Sequence, residues 1–349
     1  MKAIVLQGET GKAALVTDRP APKPRPGYVL VDVKAVALNP TDWKHMAFVN
    51  VKGAVVGCDV AGVVAETNTG YKKNWKVGDR IMGFAHGGNS LNLEDGAFAE
   101  RVALKADMAI RIPDSLSFED AATLPLGLVT VGQGLFQEMG LNIPAPDVTV
   151  DTVKPNGETI LIYGGSSATG TLGIQLAKLA GYTPITTASK RNFGLVKSLG
   201  AVAAFDYSDP AKCAAEIREY TNNSLKLAWD TIALPEAAKI CADALAPGPG
   251  ATYGSILAIK SPREDVKNTF SLAYTSVGEG VNKPHTKSDP KPDHFEFIKK
   301  WMAVAETLLK NGQVKPHPKR VGKGLEGVLD GCEEMKAGKV SGQKLVYAL

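Results

Sequence analysis

The run Glu158-Thr159-Ile160-Leu161-Ile162-Tyr163-Gly164-Gly165-Ser166-Ser167-Ala168-Thr169-Gly170 carries the clearest chemistry in this 349-residue chain. An apolar, strand-like run enters a Gly/Ser turn and continues into a helical pattern, Gly170 to Ala180. In such a turn backbone N–H groups can approach a pyrophosphate, whose charge is favoured by the positive end of the following helix. Small residues are required there, since a bulky Cβ would block the approach. The spacing departs from GxGxxG, and a Gly-rich turn also caps helices that bind nothing. Its position at the first strand-to-helix turn of an alternating region selects the nucleotide reading.

About 20 residues beyond such a turn, an acid would hold a free ribose 2′-hydroxyl and basic groups would hold a 2′-phosphate. Here the next strand ends in Ser189-Lys190-Arg191-Asn192, with no acid in the run. A lysine point charge and an arginine fork suit a phosphate dianion, so the expected cofactor is NADPH. The competing reading makes Lys190 and Arg191 a solvated helix start. Tyr207 could flank the adenosine, or Asp206-Tyr207 could be plain turn chemistry.

These residues need a scaffold, and the chain is long enough for two cores. Up to about residue 124 it is rich in short β-type runs: Tyr28 to Val36, Val55 to Glu66, Arg80 to Phe84 and Ala97 to Leu104. From there strands alternate with helices as far as Ala251 to Ile259, the pattern of a parallel sheet covered by helices. The fold class expected is therefore α/β, a β-rich domain joined to a doubly wound, Rossmann-like domain. The segment 280–293, with Pro284, Pro290 and Pro292 among Lys and His, reads as an irregular surface loop. The ending, Val340 to Tyr347, reads as a strand returning to the β domain. The 40 basic and 36 acidic residues are scattered, which disfavours nucleic acid as a partner. No run approaches a membrane span and the N-terminus reads as a strand, so a cytoplasmic protein is expected. Cys58, Cys213, Cys241 and Cys332 show no CxxC spacing and are expected to be free thiols.

The whole chain resembles the medium-chain dehydrogenase/reductase superfamily, and within it the trans-acting enoyl reductases of fungal reducing polyketide synthases and their ToxD-like relatives. The likeness rests on Asn39-Pro40-Thr41-Asp42-Trp43-Lys44, Gly57-Cys58-Asp59-Val60-Ala61-Gly62, Val77-Gly78-Asp79-Arg80-Ile81, Gly96-Ala97-Phe98-Ala99-Glu100, Gly164 to Gly170, Leu199-Gly200-Ala201 and Val340-Ser341-Gly342. It implies a GroES-like catalytic domain, 1–124 completed by 285–349, around a Rossmann-like NADPH-binding domain, 125–284, with the active site in the cleft between them. It also implies that Thr41, Asp42, Trp43 and Lys44 line the nicotinamide side, with Thr130 nearby, and that Leu257, Ala258, Val340 and Ser341 join the cofactor-binding set. Zinc-dependent members carry a Cys/His ligand set. Here Pro40-Thr41 and Cys58 stand at two of those places and no cysteine lies near Thr130, so no metal is expected. Cys58 and His86 could meet, although a buried cysteine is more often a small hydrophobe.

Without a Lewis acid the chemistry must suit a carbon already made electrophilic. An alkene conjugated to a thioester carbonyl qualifies: hydride adds to the β carbon, the enolate oxygen takes hydrogen bonds, and the α carbon is protonated. Lys44 is the candidate donor to the carbonyl, and Tyr274 the weaker candidate proton source. The plainer alternative is a surface Lys44, a helix-capping Asp42 and a core-packed Trp43. The resemblance assigns the acyl chain to Val131-Gly132-Gln133-Gly134-Leu135-Phe136-Gln137-Glu138 and Ala273-Tyr274-Thr275-Ser276-Val277, segments whose composition equally suits core packing. Three functions are weighed: a trans-acting enoyl reductase of secondary-metabolite biosynthesis, a zinc-independent quinone or alkenal reductase, and a non-catalytic NADPH-binding partner. The expected partner is an acyl chain presented by a synthase carrier domain, with no membrane or nucleic acid, to a monomer. Lys283, Lys287 and Lys291 are surface lysines that could meet an acidic carrier.

Overall fold

A computed structural model describes residues 1–284 and 286–349. Two compact units emerge: residues 1–129, 274–306 and 316–349 form the first, and 130–273 with 307–315 the second.

The first unit opens with β1 (Ala3–Leu6), β2 (Ala13–Val16) and β3 (Tyr28–Ala37). The sequence of β3, rich in β-branched residues, keeps both faces largely buried except at Asp32 and Lys34. Helix α1 (Pro40–Phe48) follows, started by Pro40 in its first turn, where a missing N–H costs nothing. Next come β4 (Asp59–Glu66), β5 (Arg80–Phe84), β6 (Arg101–Lys105), β7 (Ile110–Arg111), α2 (Phe118–Ala121) and α3 (Pro125–Val131).

The second unit contains β8 (Thr159–Tyr163), α4 (Ala168–Leu179), β9 (Thr183–Thr187), α5 (Phe193–Ser198), β10 (Ala203–Phe205), α6 (Pro210–Tyr220), β11 (Leu227–Asp230), α7 (Pro235–Ala244), β12 (Thr252–Ser255) and β13 (Lys267–Phe270). Its strands lie in the order β10-β9-β8-β11-β12-β13, every pairing parallel. The order reverses direction beside β8, and in open α/β sheets ligands bind beyond the strand ends at such a switch point.

The chain then forms β14 (Val281–Lys283), β15 (Thr286–Ser288), α8 (Pro292–Lys310), β16 (Lys319–Lys323), α9 (Val328–Lys336) and β17 (Lys344–Ala348). β17 pairs with β3 and β16, so the C-terminus does complete the β-rich sheet, β16-β17-β3-β4-β5-β7, to which β6 adds through β3. No helix among the described residues is long and apolar enough to cross a membrane.

Two expectations need correction. The segment 280–293 is not irregular: β14 and β15 form an antiparallel hairpin, with Val281 opposite Ser288 and Lys283 opposite Thr286. The prolines did not prevent it because Pro284 lies past β14 and Pro290 and Pro292 lie beyond β15. The same hairpin, with Tyr274 to Gly280, belongs to the first unit rather than to the cofactor domain assigned to 125–284. Side-chain bonds from Tyr274, Glu279 and Lys283 to residues 28–105 bind it there.

Candidate active site

The Gly/Ser turn follows β8 directly. Gly164 has φ +78, a left-handed conformation that only glycine adopts without strain. A Cβ on Gly165 would stand 1.9 Å from Thr186 Oγ1, and one on Gly170 would stand 2.3 Å from the Gly164 carbonyl oxygen. Ser167 caps α4, its hydroxyl accepting the Gly170 N–H at 2.9 Å. Gly164 N–H is taken by Thr187 Oγ1 at 3.0 Å and Gly165 N–H by the Thr187 carbonyl at 2.9 Å, which ties the turn to β9. Ser166, Ser167, Ala168 and Thr169 are half-buried, at the N-terminal end of a 12-residue helix. Helix-end N–H groups left without intrahelical acceptors suit a pyrophosphate.

At the end of β9, Ser189 opens a short 3-10 turn, Lys190–Asn192, and the Asn192 side-chain amide donates to Ser189 Oγ at 3.1 Å. Lys190 and Arg191 are exposed. Sequence distance hid Asp206, which follows β10 and places a carboxylate oxygen 3.8 Å from Lys190 Nζ. Tyr207 is exposed and tilted against Tyr163, ring centres 6.4 Å apart. Leu257 and Ala258 are exposed beyond β12.

In the first unit, Asp42 is fully buried, and its Oδ2 accepts the Asn39 backbone N–H at 2.7 Å, closing the start of α1. Trp43 packs partly against the β-rich core. Lys44 is half-buried, with Nζ 5.8 Å from the Trp43 ring centre, and burial lowers its pKa. Val340 is half-buried and Ser341 exposed in the loop before β17.

A cluster absent from the sequence reading lies beneath Thr41. Thr41 Oγ1 and Tyr274 Oη are 2.6 Å apart, and both meet His45 Nε2, at 3.3 and 3.1 Å. Lys283 Nζ donates to the same Nε2 at 2.7 Å and to the Gly87 carbonyl at 3.1 Å, and sits 3.5 Å from the Tyr274 ring centre. Cys58 Sγ is 3.9 Å from Tyr274 Oη, and the His86 ring stacks on Tyr274 at 4.7 Å. Lys283 is thus no surface lysine: it is 7% exposed, while Lys287 and Lys291 are exposed. Alternation explains the error, since β14 reads buried, exposed, buried. Cys58 is buried as expected, with the Tyr274 hydroxyl beside its sulfur. His45 carried a signal that passed unnoticed, being three and four residues beyond Asp42 and Thr41 on one helix face.

Burial dominates the electrostatics here. It raises Asp42 to about 7, with repulsion from Asp59 adding to it and the Asn39 N–H opposing it. It lowers Lys283 to about 7, and pushes the Cys58 thiol well up and His45 and His86 well down.

The acyl-chain segments are mostly packed. Residues Gly132–Glu138 form a π-helix in the second unit, where a Cβ on Gly134 would stand 2.5 Å from Trp229 Nε1 and Leu135 is fully buried. Gln137 and Glu138 are half-buried, as is Thr130, where this unit begins. Ala273–Val277 form a 3-10 turn with Tyr274, Thr275, Ser276 and Val277 all buried.

The family described as Alcohol dehydrogenase GroES-like domain matches residues 25–114, and Zinc-binding dehydrogenase matches residues 168–276. Trans-enoyl reductase resD of Aspergillus sclerotiorum is 44% identical over 99% of each chain. The chain belongs to the fungal trans-enoyl reductases of the medium-chain dehydrogenase/reductase superfamily. Another trans-enoyl reductase, TOXD of Cochliobolus carbonum, is 46% identical over 83% of this chain and 95% of its own. Among solved structures, CurK enoyl reductase shares the fold at a TM-score of 0.76 and 19% identity, covering 99% of both chains. The quinone oxidoreductase of Coxiella burnetii is 26% identical with a TM-score of 0.69, covering 100% of this chain and 99% of its own.

The second family name implies zinc, and one atom each of Asp42, His45 and Cys58 lies within 4.8 Å of the others. Zinc requires a thiolate and a free imidazole lone pair. Here burial pushes the Cys58 thiol well up, and the His45 Nε2 lone pair accepts from Lys283, so the set fits zinc poorly as it stands.

Proposed function

We propose that this trans-enoyl reductase uses NADPH, and no metal, to reduce the α,β double bond of a polyketide thioester. The observation that carries the reading is the end-to-end 44% identity to a trans-enoyl reductase. The glycine cradle before α4 fits a pyrophosphate, with Gly164 to Gly170 supplying the turn. Lys190 and Arg191 supply charge for a 2′-phosphate, with Ser189, Asn192 and Tyr207 about it and Leu257 and Ala258 beyond β12. When bound, the nicotinamide supplies a hydride to the β carbon. The protein then has to orient the thioester, donate a hydrogen bond to its oxygen and deliver a proton to the α carbon. Thr41, Asp42, Trp43, Lys44, Val340 and Ser341 are proposed to flank the nicotinamide, with Lys44 and Thr130 as donors. Val131 to Glu138 and Ala273 to Val277 are proposed to receive the acyl chain, through their half-buried members.

The lysine beside His45 supports metal-free catalysis, because a bound cation would face the Lys283 ammonium across one imidazole. We further propose that the enzyme works in the cytoplasm as a monomer, on acyl chains held by a carrier domain.

The test follows NADPH absorbance with chelator-treated protein, 2-enoyl thioesters of increasing length, a simple quinone, and NADH in parallel. Thioester turnover that rises with chain length and prefers NADPH is the expected result. Quinone turnover alone would favour a quinone reductase, a second reading that the Coxiella burnetii relative supports. NADPH binding with no turnover on any activated alkene would leave a non-catalytic binding protein.

A further inference from the structure

We propose that Lys283, carried into the interior of the β-rich unit by the β14–β15 hairpin, is the internal proton supply of the reaction, feeding Tyr274 through His45. The proposal rests on the enoyl reductase reading. Lysine is among the residues least often buried without an ion-pair partner, because its desolvation is costly. Here the ammonium has no carboxylate partner among the described residues; its contacts are His45 Nε2, the Gly87 carbonyl and the face of Tyr274. A structural lysine would be expected to meet an acid, as Lys344 does with Asp59.

The remaining atoms point to a polar occupant. Among the described residues, His86, buried against Tyr274, has no hydrogen-bond partner at either ring nitrogen, and His45 Nδ1 has none either. Groups of that kind are costly unless something polar completes them. A thioester oxygen that becomes an enolate is such a group. Tyr274 Oη, between Thr41 and His45, carries the hydroxyl hydrogen assigned to the α carbon; burial pushes its pKa well above the usual value, so a phenolate formed there would draw a proton back from its neighbours.

The step balances. Hydride arrival at the β carbon breaks the C=C π bond and leaves an enolate. The Tyr274 O–H bond breaks and a C–H bond forms at the α carbon. His45 Nε2 passes a Lys283 proton to the phenolate, and the neutral amine recovers a proton from solvent. Tyr274 is then the catalytic residue, while Lys283 and His45 act through it. Burial lowers Lys283 to about 7, so the ammonium is a usable acid near neutrality. The groups facing it are Asp42 and His45 from α1, Cys58 ahead of β4, His86 after β5, and Tyr274. Asp42 and Cys58 favour its charge, while burial opposes it.

The experiment compares wild type, Lys283→Met and Tyr274→Phe in kcat for a 2-enoyl thioester across pH 6 to 9, with NADPH Kd and the solvent deuterium isotope effect. Wild-type kcat should fall as pH rises through about 7, where the ammonium is lost. Each variant should lose roughly 100-fold in kcat, within the range for general acid catalysis. NADPH Kd should stay within about twofold, Lys283→Met should lose the break near 7, and the isotope effect should rise. Should Lys283→Met fail to fold, Tyr274→Phe decides, since it removes one hydroxyl and keeps the ring. Wild-type kcat and pH profile in Tyr274→Phe would overturn the proposal, as would an unchanged pH break in a folded Lys283→Met. A wild-type protein inert toward every enoyl thioester would instead overturn the enoyl reductase reading itself.

Discussion

Lys344 Nζ stands 2.5 Å from Asp59 Oδ2, with both side chains almost fully removed from solvent. Asp59 also accepts from Asn39 Nδ2 at 2.7 Å and from the Leu126 N–H at 2.6 Å, and Lys344 donates to the Thr123 carbonyl at 3.2 Å. One ion pair therefore joins β17 to β4, to the start of α1 and to the entry of α3. Lys344→Met would strand a buried carboxylate, and the expected loss is about 3–5 kcal/mol. Denaturant midpoints check this, and Asp59→Asn combined with Lys344→Met should recover much of the loss. Equal losses in the single and double variants would show that packing, not charge, holds the junction.

Cofactor preference gives a second prediction. The Lys190→Ala/Arg191→Ala double variant should weaken NADPH binding by about 10- to 100-fold, the equivalent of one to two charge-assisted contacts at 1.4 kcal/mol per tenfold. NADH affinity should not change. Both side chains are exposed, and Asp206 beside Lys190 adds a second lever: Asp206→Asn should leave NADPH binding equal or tighter. Titration by nucleotide fluorescence reads both. Parallel loss of NADH and NADPH would mean that these residues only support the fold.

The contrast between the two regions shows what a sequence can reveal. The β8 turn was legible because its requirements are local: a strand, glycines whose Cβ atoms would collide, and a helix start lie within 13 consecutive residues, Glu158 to Gly170. The strand–helix alternation from Thr159 to Ser255 was legible for the same reason. The Lys283 cluster was not, because it is assembled from α1, the start of β4, the loop after β5, a 3-10 turn and a hairpin. His45 and Lys283 are 238 residues apart and become partners only through the tertiary fold. A three-residue strand that runs straight into Pro284 also carries too little alternation to announce itself.

Acid sensitivity follows from the buried histidines. Burial lowers His317 to about 3, with Lys344 adding to it, and lowers His45 and His86 well below their usual value. Below the unfolded value of about 6.5 the unfolded chain binds these protons and the folded chain does not, so stability falls as pH drops. Asp42 opposes this: its raised pKa makes its contribution fully present below the unfolded value and lost as pH rises through about 7. Three histidines against one carboxyl make a net loss between pH 6.5 and 5 the expected result. Urea midpoints at those two pH values check it, and His317→Gln should flatten the slope. An unchanged slope in that variant would remove His317 from the account.

Lys44 and Lys283 are the two lysines whose roles an experiment can separate. Lys44 is half-buried, 5.8 Å from the Trp43 ring centre, and among the described residues it forms no ion pair. If its ammonium donates to the thioester oxygen as charge develops, Lys44→Met should lower kcat by about 100-fold, the scale of one lost oxyanion donor. The loss should be equal at pH 6 and pH 8, because the variant removes the same contact to the oxygen at both values. If Lys44 only covers Trp43, the variant should lose about 0.5–1 kcal/mol of stability and keep its kcat. A pH-independent loss in Lys44→Met beside a vanished break near 7 in Lys283→Met would assign the oxygen to one lysine and the α-carbon proton to the other. Identical profiles in the two variants would show that a single ionisation serves both steps.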